Sequence, residues 1–545
     1  MIKRLIDHRN TIILFIIILL VIIPIVTVMS YIFQPSSELW SHLSENLLLE
    51  YLSNTFIILI FVAISTLVIG VSCAWLVTTF NFPGRDIFKW LLVMPIAIPT
   101  YVSAYIYAGL FEPSGMVFDS IENYLGLGKE LYEIIDMRNI YGVIFILSIC
   151  LYPYVYLLAY SSFKEQSYCA LEVGKSLGLN SRELFSRISV PLARPGIIAG
   201  ISLVMMETLA EFGTMDYYGV STFTTGIYRT WFSFGDENSA LHLSSILLTF
   251  VFILIIIEKF SRGKSQYVNT SQKSKKLKTK DLNRWNSIYA LLWCLLFSLV
   301  GFIIPVIQLF FWLLETYDYI FENYYLQVII NTISIATIAS IIIVLISIYS
   351  SYINRSTENL YIKSSLKIFS LGYSIPGVVI AVGIIIPLTI FDNMQAMIFG
   401  SPLYYLSGSF FALVLAYLVR FSTISFNATE SSLGKVKKNI DLTVQSFGLS
   451  NFTILKKIHM PIMKTTLITS FILVFVDIVK ELPATLILRP FNFDTLAINI
   501  YELASSEQLS YIASPSLMLI IIGLIPVILL IRKTINFGDE NEVRN

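Results

Sequence analysis

Residues 54–79 read NTFIILIFVAISTLVIGVSCAWLVTT, and residues 331–352 read NTISIATIASIIIVLISIYSSY. Neither stretch carries a charge, and each exceeds the roughly 20 apolar residues that a helix needs to cross the hydrocarbon of a bilayer. Both open with Asn-Thr, 277 positions apart (331−54). Two membrane spans with the same start, half a chain apart, predict a duplicated polytopic protein.

The rest of the sequence agrees. Apolar runs recur near 11–33, 54–79, 88–111, 139–162, 192–212 and 241–258, and again near 286–313, 327–352, 367–391, 406–428, 462–482 and 512–531. That is about twelve transmembrane helices. The 545 residues are 56% hydrophobic and 13% charged, with mean hydropathy +0.75 and a formal charge of +1. A soluble domain carries about 25% charged residues. The balance excludes a disordered chain and a nucleic-acid binder driven by bulk positive charge. Four scattered Cys and four isolated His offer neither a disulfide framework nor a metal cage. The first run follows Lys3, Arg4 and Arg9 as a signal peptide would, but it is long and lacks a small-residue cleavage site, so it reads as a retained anchor.

Lys and Arg are retained on the cytoplasmic side. The first connection holds Glu38, Glu45 and Glu50 without a Lys or Arg, the next holds Arg85 and Lys89, and 163–191 is basic. Later, Arg355, Lys363 and Lys435 alternate with Glu315, Asp318 and Glu322, and Arg532 and Lys533 close the last run. The alternation places both termini in the cytoplasm. Residues 261–284, SRGKSQYVNTSQKSKKLKTKDLNR, form a basic linker. It reads as a solvated connector, with contact to anionic lipid or a partner as the functional alternative.

The repeats continue beyond Asn-Thr. Pro99 in MPIAIPTYV recurs as Pro376 in GYSIPGVVI, again 277 apart (376−99). Gly178, Ile188 and Pro191 recur 270 later as Gly448, Ile458 and Pro461, and Thr222 and Tyr228 recur 273 later as Thr495 and Tyr501. The chain therefore divides into a first repeat (1–260), the linker (261–285), a second repeat (286–535) and a tail (536–545). Two six-span halves of equal topology are parallel repeats about an axis along the membrane normal, and a translocation pathway is expected between them.

The most specific signal lies in two predicted cytoplasmic loops, near 163–191 and 433–461. Glu172-Val-Gly-Lys-Ser-Leu-Gly178 is followed after nine residues by Ile188-Ser-Val-Pro191, and Leu442-Thr-Val-Gln-Ser-Phe-Gly448 by Ile458-His-Met-Pro461. Gly permits a left-handed helix end, and Pro suits the first turn of the next helix, where its missing N–H goes unneeded. This spacing describes a helical elbow outside the membrane. It resembles the EAA loop of binding-protein-dependent ABC-importer permeases, E-A-A-x3-G-x9-I-x-L-P. The first copy lacks the two Ala; the second has Leu442 in the Glu position, with Asp441 beside it. The resemblance implies a type I ABC-importer permease fold and coupling to an ABC ATPase dimer through Glu172, Gly178, Ile188 and Pro191, and through Asp441, Gly448, Ile458 and Pro461. Gly174-Lys175-Ser176 does not complete a phosphate-binding loop, because Cys169 stands where Gly is required. ATP and Mg therefore belong to the partner subunit. No cofactor, stable metal or nucleic acid is expected on this chain, which is read as a transport subunit and not an enzyme.

Asp477–Ser505 (DIVKELPATLILRPFNFDTLAINIYELAS), Glu207–Phe232 (ETLAEFGTMDYYGVSTFTTGIYRTWF) and FPGR at 82–85 are similar to the ferric-iron permeases of the FbpB type over nearly the whole chain. This implies a bacterial inner-membrane importer served by a periplasmic iron-binding protein. Thiamine, phosphonate and polyamine permeases share the layout and stand as alternatives. Glu207 and Glu211 are four apart, as are Asp477 and Glu481, 270 further on. Four carboxylates on equivalent helix faces are candidate lining of the pathway, since hard oxygen ligands suit a hard cation. Gating or structural pairs with Lys480 or Arg489 are the bland alternative. A twelve-span secondary transporter is the rival of another class. The loop 81–89, NFPGRDIFK, lacks the G-x-x-x-D-R-x-G-R-R pattern of major-facilitator carriers.

Overall fold

A computed structural model describes residues 2–35, 37–113, 115, 121–123, 136–164, 166, 174, 176, 178–262, 280–402, 404–446 and 451–536. The protein is all-α and polytopic. Its principal helices are α1 (Ile2–Ser30), α2 (Leu48–Thr79), α3 (Thr100–Phe111), α4 (Ile140–Lys164), α5 (Val190–Ala210) and α6 (Glu237–Arg262). They continue as α7 (Arg284–Glu315), α8 (Asn323–Ser356), α9 (Gly377–Phe399), α10 (Phe410–Gly434), α11 (Lys464–Lys480) and α12 (Ala513–Asn536). Ten helices among the described residues are long and apolar enough to cross a membrane, and the number reaches twelve if each of two bent pairs is one span.

The bends mark where the expected runs depart from straight helices. The 88–111 run is broken by 92° between Arg85–Ala97 and α3. Pro99 forces Ile98 out of the helical region (φ −93°, ψ 122°) and itself becomes the cap of α3. With 12 residues, α3 is only about 18 Å long, too short to cross alone. The 367–391 run likewise starts its long helix late: Pro376 caps α9, and a tight 3-10 turn at Gly372–Ser374 precedes it. Each repeated proline thus sits at the same kind of joint. The second bent pair turns by 73° between Leu455–Ile462 and α11.

The described chain forms two compact units. One comprises 1–45, 226–248 and 318–502; the other comprises 46–225, 249–317 and 503–545. The compact units interleave the sequence. In the first unit α1 packs along α9, so closely that a side chain at Gly383 would meet the Pro24 carbonyl, 2.6 Å away. Leu14, Ile18 and Val21 of α1 bury against Leu366, Phe369 and Phe426. In the second unit α2, α4 and α5 pack together, α7 lies against α12, and Trp293 donates to Ser72 Oγ at 2.9 Å.

The repeated Asn residues make matching bonds, one in each unit. Asn54 Nδ2 donates to the carbonyl of Ser221 at 2.9 Å, and Asn331 Nδ2 to the carbonyl of Asp494 at 3.1 Å. Ser221 and Asp494 immediately precede Thr222 and Thr495, the pair 273 apart in sequence. Each bond ties the start of a long span to a distant loop.

Candidate functional site

The first elbow is built by local capping. Gly178 adopts φ +80°, and the Leu179 amide reaches back to the Gly174 carbonyl at 3.1 Å, the closure of a helix that ends in a left-handed residue. Asn180 then starts the next helix. Its Oδ1 accepts from the amides of Arg182 and Glu183 at 3.0 Å each, and Glu183 Oε2 accepts from the Asn180 amide at 3.0 Å. This is a reciprocal capping box, which stabilises a helix start by about 1 kcal/mol. The following helix, Ser181–Leu184, runs through a π turn at Phe185–Ser189 directly into α5, so Ile188 and Pro191 lie on one continuous helix with the span. Gln166 Nε2 donates to the Ser189 carbonyl at 2.7 Å, and Phe185 packs on Trp75 with centroids 5.2 Å apart. Glu172 lies outside the described residues.

The second elbow repeats the π turn 270 residues later, at Leu455–His459, with Pro461 in the short helix Met460–Ile462. What holds it is a charge cluster. Asp441 Oδ2 accepts from Arg355 Nε at 2.8 Å, and Asp441 Oδ1 lies 2.8 Å from His459 Nε2. A carboxylate only accepts, so His459 carries its proton on Nε2. Arg355, in the last turn of α8, also donates to the carbonyls of Leu433 and Val436 at the end of α10. The His459 side chain is fully buried and that of Arg355 only 9% exposed. Asp441 therefore fastens this elbow to two spans. Ile458 is half-buried, Pro461 is exposed, and Gly448 lies outside the described residues.

The four carboxylates do not share helix faces in pairs as their spacing predicts. α5 ends at Ala210 and α11 at Lys480, so Glu211 (ψ 133°) and Glu481 (ψ 121°) are extended residues past the helix ends. Pro483 cannot continue a helix through that point. Both carboxylates instead cap the next short helix. Glu211 Oε1 accepts from the Thr214 amide at 2.9 Å, and its Oε2 from the Thr100 hydroxyl. Glu481, 5% exposed, accepts from the amides of Ala484 and Thr485 at 3.0 and 2.9 Å, and from the Thr485 hydroxyl at 2.6 Å. Glu207 and Asp477 remain half-buried on the last turns of α5 and α11.

Glu481 has one further partner that sequence reasoning missed: Arg420 Nη1, at 2.9 Å. Arg489, the partner expected there, pairs with Asp494 and Glu502. The signal for Arg420 was present. It is a lone cation inside the apolar run 406–428, and such a charge needs a counter-ion. The ion pair fits because Gly377 faces it; a Cβ there would come within 2.3 Å of Arg420 Nη1 and 2.6 Å of Glu481 Oε1. Thr100, 277 residues earlier, fills the matching position with a hydroxyl. Among the described residues no group of three or more His, Cys, Asp or Glu side chains could hold a metal ion.

Comparison with known proteins accords with this architecture. Residues 66–259, from within α2 through most of α6 and with the first elbow included, match the family described as binding-protein-dependent transport system inner membrane component. The chain is the permease subunit of an ABC importer, a multi-pass protein of the inner membrane. Permeases of this kind work with an ATPase and a substrate-binding protein. It is 25% identical over 493 residues to the Fe(3+)-transport system permease protein FbpB 2 of Haemophilus influenzae, covering 88% of this chain and 89% of that one. It is 23% identical over 503 residues to the ferric transport system permease protein FbpB of Actinobacillus pleuropneumoniae, covering 88% and 70%. A shorter match, 28% over 185 residues, is to the spermidine/putrescine permease PotB of Escherichia coli, covering 33% of this chain and 64% of that one.

Proposed function

We propose that this chain carries ferric iron, delivered by a periplasmic iron-binding protein, across the inner membrane. The reading rests above all on likeness to ferric permeases along 88% of the chain, both elbows included. Relatives named for other substrates match shorter stretches. An ATPase dimer, holding ATP and Mg, grips the two elbows on the cytoplasmic side, where both termini also lie. The capping box at Asn180 and the ion cluster at Asp441 suit a transmission element, because a knob that deforms cannot convert a partner's closure into movement of a span. Glu207 and Asp477 are the carboxylates left to meet the ion in transit, while Glu211 and Glu481 hold the turns that follow α5 and α11.

The test is reconstitution. This chain, its ATPase and an iron-loaded binding protein in proteoliposomes should take up radiolabelled iron only with Mg-ATP, and Glu207→Gln should slow uptake without changing protein yield. Uptake that ignores ATP, or that proceeds equally with thiamine, phosphonate or polyamine in place of iron, would overturn the reading.

A further inference from the structure

A groove of about 430 Å³ runs along the second unit between α2, α5 and α6. Its walls are apolar, with Ile201, Met205 and Phe250 among them, and Arg194, Glu258 and Ser261 gather at one end. The wall on α5 extends from Arg194 to Leu209, about 22 Å of helix. That shape suits one hydrocarbon chain better than a compact solute. The mouth holds one Arg and one Glu. Arg194 is exposed and forms no ion pair among the described residues, whereas Glu258 already interacts with another group. The mouth is also where α6 ends and the basic linker begins, with seven Lys or Arg between 262 and 280 and no Asp or Glu. A dense juxtamembrane cationic segment favours anionic headgroups by about 1 kcal/mol per charge near the surface.

We propose that this groove binds an anionic phospholipid, with an acyl chain along Ile201, Met205 and Phe250 and the phosphate at Arg194 and Ser261. The apolar length supplies affinity for any lipid, and Arg194 supplies the choice of an anionic one. α5 continues directly from the first elbow, so a lipid here touches the helix that the elbow moves.

Native mass spectrometry of the full chain in detergent, given phosphatidylglycerol or phosphatidylcholine at equal concentration, tests this. The wild type should retain phosphatidylglycerol preferentially. Arg194→Gln should lower that preference about fivefold, the factor that ~1 kcal/mol per charge represents, and Arg194→Lys should keep it. Ile201→Trp, which fills the groove, should reduce retention of both lipids. Equal retention of the two lipids by the wild type, or an Arg194→Gln protein that keeps the full preference, overturns the proposal. So does a preference lost only when the linker lysines 273, 275, 276 and 278 are changed to Gln, since the charge would then act without the groove.

Discussion

Replacing Asp441 with Asn removes the charge on which Arg355 and His459 converge in the second elbow. Neither donor can turn to water, because the Arg355 side chain is 9% exposed and that of His459 is fully buried. Removing one partner of a buried ion pair typically costs 3–5 kcal/mol. Here the lower end applies: Asp441 is 17% exposed, Arg355 keeps the carbonyls of Leu433 and Val436, and Asn can still accept one bond. A loss of about 3 kcal/mol multiplies the local opening constant roughly a hundredfold. Amide hydrogen exchange of the purified protein reads this directly. Peptides covering 438–446 and 451–462 should exchange about a hundred times faster in the variant, while the middle of α8 and α10 keeps its protection. ATPase stimulation by the loaded binding protein should fall in parallel. A change below threefold in those peptides, or acceleration spread evenly along α8 and α10, would refute a fastening role for Asp441.

Three further expectations follow from the same geometry. Glu481→Gln strands Arg420 and should lower thermal stability by about 3 kcal/mol, whereas Glu211→Gln loses only neutral donors and should cost about 1 kcal/mol; the reverse ranking in detergent melts contradicts the assignment. Gly377→Ala should separate Arg420 from Glu481 and destabilise the protein comparably to Glu481→Gln, and adding the second substitution to the first should cost little more, as a double-mutant cycle would reveal. Gly178→Ala places a side chain at φ +80° in open space, so it should cost about 1 kcal/mol through backbone strain alone, seen as faster exchange confined to the first elbow.

The long spans were legible because hydropathy reports directly on them: α2 and α8 run from one polar boundary to another. The breaks were less so. Pro99 and Pro376 stood out as repeats, yet an apolar run gives no sign that the residue ahead of a proline leaves the helix, and the 88–111 segment bends there. Elbow geometry that rests on neighbours in sequence was accessible, as with Gly178 at a helix end. The fastenings of the second elbow and of Glu481 were not. Arg355 meets Asp441 across 86 positions and Arg420 meets Glu481 across 61, and spacing alone cannot choose such partners. The i,i+4 reading of the carboxylates failed for a local reason, since the helices stop one residue before Glu211 and Glu481. Packing α1 with residues 318–502 is likewise invisible to a reading organised by halves.

Both elbows must face the cytoplasm for an ATPase to reach them. Single cysteines at the exposed positions Arg182 and Thr443 probe this, in a chain where Cys169 is replaced by Ser and Cys73, Cys150 and Cys294 are buried. A membrane-impermeant maleimide should label both sites in inverted vesicles, lose access when the ATPase is bound, and leave intact spheroplasts unlabelled. Labelling of either site from the periplasmic side of spheroplasts would contradict coupling through these elbows.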